Sequence, residues 1–207
     1  MTFPEWIIFV GIWFAAGLPL GPNAANCIAV SAGQGFRRSL WAVGGVLASG
    51  AIMMAVVILG LGAVLLANQL LFTVLKIAGA AYLVWMGITL IRRGGGGFDM
   101  DAADPEPAVW VLRRAMMISF SNPKALIAYG AVFSQFIDGN LAALWVIVPT
   151  ALMINAIIYL GYAGLGLGVA KFLGSAIRRR WFNRGIGSFY VVAGAGLLAQ
   201  EMTGARR

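Results

Sequence analysis

Histidine is absent from the 207-residue chain, and cysteine occurs once, at Cys27. An intramolecular disulfide is therefore excluded, and a Cys/His metal site or a dithiol relay lacks its ligands. Asp and Glu together number seven, and most lie in loops or at the ends of apolar stretches. Carboxylate ligands for hard metal ions are therefore scarce in the predicted membrane interior. The sequence predicts no metal site and no cofactor.

Charge is also scarce. Only 11% of the residues are charged and 61% are hydrophobic, whereas a soluble domain carries about 25% charged residues. Apolar stretches of about 20 residues recur along the whole length, which predicts an all-α polytopic membrane protein. The net charge of +8 comes from short basic clusters between these stretches. Such clusters are typical of topology signals and argue against nucleic acid as a partner.

The apolar pattern predicts a single membrane domain over residues 1–207 with six spans. It divides into a first three-helix half (1–91), a cytoplasmic linker (92–114) and a second three-helix half (115–207). The predicted spans run over Trp6–Ala32, Leu40–Ala67, Leu70–Ile91, Ala115–Ile137, Leu141–Val169 and Gly185–Ala199.

The basic residues predict the orientation of the spans. Eleven lysines and arginines lie in three alternate loops, at 37–38, 92–114 and 171–184, against two at the C-terminal tail. The loops on the opposite side, at 67–69 and 138–140, have none. The positive-inside rule then places these three loops in the cytoplasm and both termini outside the membrane. The N-terminus has no basic region, so we expect the first apolar stretch to stay as a span.

Two predicted spans contain helix-breaking motifs near the middle of the membrane. The first span reads "LPLGPNAANC" and holds Pro19, Gly21 and Pro22, followed by Asn23 and Asn26. Proline removes a backbone donor and clashes with the preceding turn, so the freed carbonyls need other partners. The motif predicts either an ordinary kink or a helix broken into two halves, with polar groups turned to a cavity.

The fourth span reads "SNPKAL", in which Asn122 precedes Pro123 and Lys124. Asn before Pro resembles an N-cap followed by proline at the first helical position. A half-helix starting there would point its free N–H groups at a cavity, which suits a carboxylate. Lys124 would cost about 2.5–3.5 kcal/mol at the centre of a span, so it should face a cavity or a partner.

Two further polar residues lie one turn apart in the fifth span, Asn155 and Tyr159. They could line the same cavity or tie helices together. A weak repeat relates the third span to the sixth at a shift of 108 residues and, because those spans run in opposite directions, it indicates inverted halves. The matching pairs are Lys76 with Arg184, Gly79 with Gly187, and Tyr82 with Tyr190.

The chain resembles the LysE/RhtB family of bacterial amino-acid exporters over nearly its whole length. The resemblance rests on "LPLGPNAANC", "GQGFRRSL", "LKIAGAAYLVWMGI" and "ISFSNPKALIAYGAVFSQFI". The resemblance implies six spans in two inverted halves, proline motifs in spans one and four, and export driven by the proton gradient. By this resemblance, Pro19, Gly21 and Pro22 occupy the family's first proline motif, and Asn122, Pro123 and Lys124 occupy its second. Leu20 and Asn155 depart from the residues common in the family, Pro and Asp, so the substrate stays open.

The combined prediction is a secondary transporter that exports an amino acid or close derivative, and that is not an enzyme. Its expected partners are a small-molecule substrate and the lipid bilayer, with homo-oligomerisation left open. The predicted substrate-binding residues are Pro19, Gly21, Pro22, Asn23, Asn26, Asn122, Pro123, Lys124, Asn155 and Tyr159. The alternatives are an exporter of another small solute or a metal ion, and a membrane assembly subunit that transports nothing.

Overall fold

A computed structural model describes residues 1–59, 69–92, 106–122, 125, 129, 143–173 and 175–204. Across these residues the chain forms seven helices and no strand. They are α1 (Phe3–Gly17), α2 (Pro22–Gln34), α3 (Phe36–Ile58), α4 (Gln69–Arg92), α5 (Ala108–Phe120), α6 (Leu144–Phe172) and α7 (Ala176–Gly204). The all-α prediction is confirmed for the described part of the chain.

The first predicted span consists of two helices with a bend between them. The α1 helix begins with a capping box, in which the Thr2 hydroxyl accepts from the Glu5 backbone and the Glu5 carboxylate accepts from Thr2. It ends at Gly17, and α2 begins with Pro22 in its first turn, where a missing N–H costs nothing. The two helices are bent by 65°.

Two helices, α3 and α6, are long and apolar enough to cross a membrane by themselves, and the bent α1–α2 pair raises the number to three within the described residues. Two other helices begin earlier than the predicted spans. Pro107 precedes α5, which starts at Ala108 inside the predicted linker. The α7 helix starts at Ala176 and carries the basic segment Arg178–Arg180 on its first turns.

The α4 and α7 helices pack against each other backbone to backbone. A Cβ atom built on Gly87 would lie 2.5 Å from the Gly187 carbonyl oxygen, and one on Gly194 would lie 2.6 Å from the Ala80 carbonyl oxygen. Position 87 therefore meets 187 while position 80 meets 194, so the helices are antiparallel. We call this contact the α4–α7 seam.

The remaining helices surround α2. Gly166 of α6 contacts Ile28 and Ser31, and Gly45 of α3 contacts the Leu112 carbonyl of α5. The α6 helix runs parallel to the α1–α2 pair, because the Trp6 indole donates to the Thr150 hydroxyl at 3.1 Å near one end and Gly166 meets α2 near the other. This packing places the α1–α2 bend among α3, α5 and α6.

Candidate functional site

A cavity of about 110 Å³ lies at the α1–α2 bend. A single water needs roughly 10–15 Å³ by the same measure, so the cavity has room for a small polar solute. Its lining residues come from four parts of the bundle: Trp13, Ala16, Gly17, Pro19, Leu20, Gly21, Pro22 and Asn23 at the bend, Val46, Ser49, Gly50 and Met53 from α3, Ser119, Asn122, Ala125 and Tyr129 from α5 and beyond, and Asn155 and Tyr159 from α6.

Tyrosine hydroxyls from two other helices hold the bend. In a continuous helix the Pro22 N–H would donate to the Leu18 carbonyl, but proline has no N–H. The Tyr162 hydroxyl of α6 donates to that carbonyl instead. The Tyr190 hydroxyl of α7 donates to the Pro22 carbonyl at 3.0 Å. The carbonyl that loses its intrahelical donor at Pro22 is therefore satisfied by a protein group.

Asn23 links the bend to α5. Its side chain is 4% exposed, and its amide oxygen accepts a hydrogen bond from the Ser119 hydroxyl at 3.2 Å. The Tyr159 hydroxyl lies next to the same side chain. The cavity wall is continuous here across α2, α5 and α6.

Asn155 and Tyr129 form another part of the cavity wall. The Asn155 amide nitrogen donates to the Tyr129 hydroxyl at 3.0 Å, and the Trp13 ring meets the Tyr129 ring edge-on with centroids 5.0 Å apart. Gly50 lies directly behind, since a Cβ atom there would be 2.4 Å from the Tyr129 hydroxyl. The absence of a side chain at Gly50 makes room for this tyrosine.

The end of α5, where the second sequence motif begins, lies on the same cavity. The α5 helix ends at Phe120, and the Asn122 carbonyl accepts from the Ala125 N–H at 3.0 Å. Both Asn122 and Ala125 line the cavity. Pro123 and Lys124 lie outside the described residues. The sequence motifs of spans one and four thus contribute residues to one cavity.

The chemistry of the described lining is polar and uncharged. Three amides, two serine hydroxyls and two tyrosine hydroxyls face a wall that is otherwise apolar, and each of these groups can both donate and accept hydrogen bonds. The first turn of α2 has no side-chain cap, so its free N–H groups and positive dipole end are available to an anionic group. No group of three or more metal-ligating side chains occurs in the described part of the chain.

Comparison with known proteins gives the family. Residues 14–201 match the family described as LysE type translocator. The chain belongs to this family. This LysE type translocator is 28% identical over 198 residues to the homoserine/homoserine lactone efflux protein of Salmonella typhimurium, covering 94% of this chain and 96% of the relative.

Two other relatives of the translocator are an efflux protein and a membrane protein. It is 28% identical to the leucine efflux protein of an Enterobacter species over 165 residues, 76% of each chain. It is 30% identical to an uncharacterized membrane protein of Vibrio cholerae over 201 residues, covering 96% of this chain and 97% of the relative. No solved structure gives a significant match. The chain is therefore a membrane translocator and not an enzyme, as the sequence predicted.

The structure of this LysE type translocator brings seven of the ten predicted site residues to the cavity. They are Pro19, Gly21, Pro22, Asn23, Asn122, Asn155 and Tyr159. Asn26 is fully buried but is not among the residues that line the cavity. Pro123 and Lys124 lie outside the described residues, so their roles stay predictions.

Sequence reasoning predicted Tyr159 as a site residue but missed Tyr129, Tyr162 and Tyr190. Four of the five tyrosines of the chain, Tyr129, Tyr159, Tyr162 and Tyr190, contact the bend or line the cavity. A buried tyrosine hydroxyl needs a hydrogen-bond partner. Tyrosines inside apolar spans that also contain a proline break were therefore the available signal.

Proposed function

We propose that this translocator exports a small neutral amino acid or a close derivative across the bacterial inner membrane. The observation that carries the proposal is the cavity at the α1–α2 bend, with its amide and hydroxyl lining and its uncapped helix N-terminus. The names of the homoserine and leucine efflux relatives support this solute class.

The cavity offers a complementary partner to each end of a zwitterion. The carboxylate meets the free N–H groups of the first turn of α2 and the amide nitrogens of Asn23 and Asn122. The ammonium meets the carbonyls of Pro19 and Leu20, which line the cavity between the two helices, and the oxygen of Asn155. Lys124, in the "SNPKAL" motif, is predicted from the sequence alone to face the cavity and would then add a positive charge that suits a carboxylate. The polar lining holds no described charge that would favour a cationic side chain.

Transport follows from the proposed arrangement of six spans in two inverted halves. The halves rock about the cavity, so the solute is exposed first to the cytoplasm and then to the outside. The basic loops lie in the cytoplasm and both termini outside. The antiparallel α4–α7 seam supports this arrangement, since these helices would be the third spans of the two halves.

The test is amino-acid efflux from bacteria that lack their own exporters and are loaded with dipeptides. Cells that express the chain should release one or more neutral amino acids faster than cells with an empty vector. Asn155→Ala should lower that efflux about tenfold or more, because a hydrogen bond to a charged solute group contributes about 1.5–3 kcal/mol.

Ser39→Ala is the matched control. Ser39 is also buried and polar, but its hydroxyl bonds to the Phe36 carbonyl of its own helix, away from the cavity. Its efflux should equal that of the wild type. If efflux of all twenty amino acids were no higher than with the empty vector, the proposed function would be wrong. If the Asn155 and Ser39 variants lost efflux equally, the cavity would not be the binding site.

A further inference from the structure

Two buried amides outside the cavity have no hydrogen-bond partner. Asn26 of α2 and Asn183 of α7 are both 0% exposed, and neither the nitrogen nor the oxygen of either amide is hydrogen-bonded to any part of the chain that the structure describes. An unsatisfied buried polar group costs about 1–3 kcal/mol. Two such side chains are expensive to keep unless a further state of the protein uses them.

Helix periodicity places the two asparagines at the contact between α2 and α7. The Tyr190–Pro22 hydrogen bond marks one level of this contact. Asn26 follows Pro22 by one turn and Asn183 precedes Tyr190 by two turns, so each lies on the contacting face of its helix. At 1.5 Å per residue they are about 6 Å and about 10 Å from that bond.

Both asparagines lie on the same side of the bond because α2 and α7 are antiparallel. Ala25 packs in one cluster with Tyr190 and Ile186, while Val30, further along α2, packs in a cluster with Ile186 and Phe182. Residues later in α2 therefore contact residues earlier in α7, as expected for antiparallel helices. The amides lie beyond the cavity, towards the end of α2 at Gln34.

An ion pair lies at that end of α2. The Glu106 carboxylate accepts from Arg114 at 2.7 and 2.9 Å and from the Gln34 amide at 3.3 Å. The unpartnered amide nitrogens of Asn26 and Asn183 are donors from which a carboxylate can accept hydrogen bonds.

We propose that Asn26 and Asn183 form a second, inner solute site, which binds the carboxylate end of an amino acid when the protein opens to the cytoplasm. The Glu106–Arg114–Gln34 network closes this site from the cytoplasm in the conformation described here. The site rests on the proposed function and adds a step to it, since the solute reaches the inner site before the cavity at the bend.

The test compares the two faces of the membrane. Right-side-out and inside-out vesicles are used to measure exchange of labelled leucine or homoserine, whichever the wild type exchanges faster. Asn26→Leu and Asn183→Leu should each raise the half-saturating concentration at the cytoplasmic face about tenfold. The value at the outer face should stay within about twofold, because the cavity at the bend is intact.

Thermal unfolding of the purified variants separates a site from a structural role. Replacing an unsatisfied amide by an apolar side chain of similar shape is neutral or stabilising, so the unfolding temperature should stay or rise while exchange falls. A lower unfolding temperature together with lost exchange in both variants would overturn the inner site. Ser31→Ala is the matched control, since Ser31 is buried and unpartnered on α2 but packs against Gly166 of α6.

A further arm tests the ligand chemistry. Leucine should compete better than leucinamide at the cytoplasmic face of the wild type, and this preference should shrink in the Asn183 variant. Equal competition in the wild type, or wild-type exchange in both leucine variants, would overturn the inner site alone. Absence of any exchange by the wild type would instead overturn the proposed function.

Discussion

The α4–α7 seam and the α1–α2 bend are held together by opposite means. At the seam, Gly87 and Gly187 bring two backbones into direct contact, with no space for even one added carbon. At the bend, the backbone is interrupted and side-chain hydroxyls from α6 and α7 satisfy it. Close backbone packing resists rearrangement, whereas a few hydrogen bonds can be exchanged. We infer that the seam is the rigid part of the translocator and the bend is its moving part.

The largest effect is expected at the seam. Gly187→Val should destabilise the protein by about 3 kcal/mol, because the new side chain overlaps the Gly87 carbonyl oxygen and the Ile91 side chain. Unfolding temperature and the yield of monodisperse protein in detergent measure this. Gly185→Ala, on the same helix with no atom within 4 Å of the added carbon, should behave as the wild type. A tolerated valine would mean that the seam is not rigid.

An intermediate effect is expected behind the cavity. Gly50→Ala should reduce efflux about tenfold and lower stability by only about 1 kcal/mol, because the tip of the Tyr129 ring can move away into the cavity. The readouts are efflux from dipeptide-loaded cells and thermal unfolding. Gly44→Ala on the same helix has open space and serves as the control. If the Gly50 variant kept full efflux, Tyr129 would have no part in binding the solute.

The smallest overall effect is expected at the bend itself, with a loss of stability like that of Gly50→Ala. Tyr162→Phe removes the donor to the Leu18 carbonyl, which costs about 1 kcal/mol. Efflux should change more than stability, since the equilibrium between outward and inward forms shifts. Exchange measured at both membrane faces reports that shift, and Tyr82→Phe, on the α4 helix, is the control. A parallel loss of stability and efflux would indicate that the bend is only structural.

The sequence predicted the bend better than it predicted the packing. Pro22 predicts an interruption at this position, because proline lacks the donor that a continuous helix needs, although the motif predicts either a kink or a broken helix; the 65° bend lies there. The position of Asn26 relative to the cavity depends on how α2 is rotated against α6 and α7, and no local pattern sets that rotation. Asn183 was not found for the same reason: in the sequence it lies among basic residues at a span end, and only the fold buries it.

The observed starts of α5 and α7 differ from the predicted ones for a physical reason. Apolar windows locate the part of a helix that lies in lipid, so Ala115 and Gly185 were predicted as starting points. The helices themselves begin at Ala108 and Ala176, because hydrogen bonding along a helix continues past the edge of an apolar stretch. The Arg114–Glu106 pair forms on one of these extensions.

The Tyr162–Leu18 hydrogen bond has a consequence for the energy of opening. The Leu18 carbonyl is occupied by a hydroxyl from another helix, and an amino-acid ammonium is a donor of the same kind. Pro19 and Leu20, the next two residues, line the cavity, so we expect the ammonium of a bound solute to compete with Tyr162 for this acceptor. Release of Tyr162 would then loosen the bend, while the Trp6–Thr150 hydrogen bond and the packing of Phe9 against Ile147 would still join α1 to α6. The arrival of the solute would thus loosen the bend alone, and the bend of an empty protein would keep its hydrogen bond.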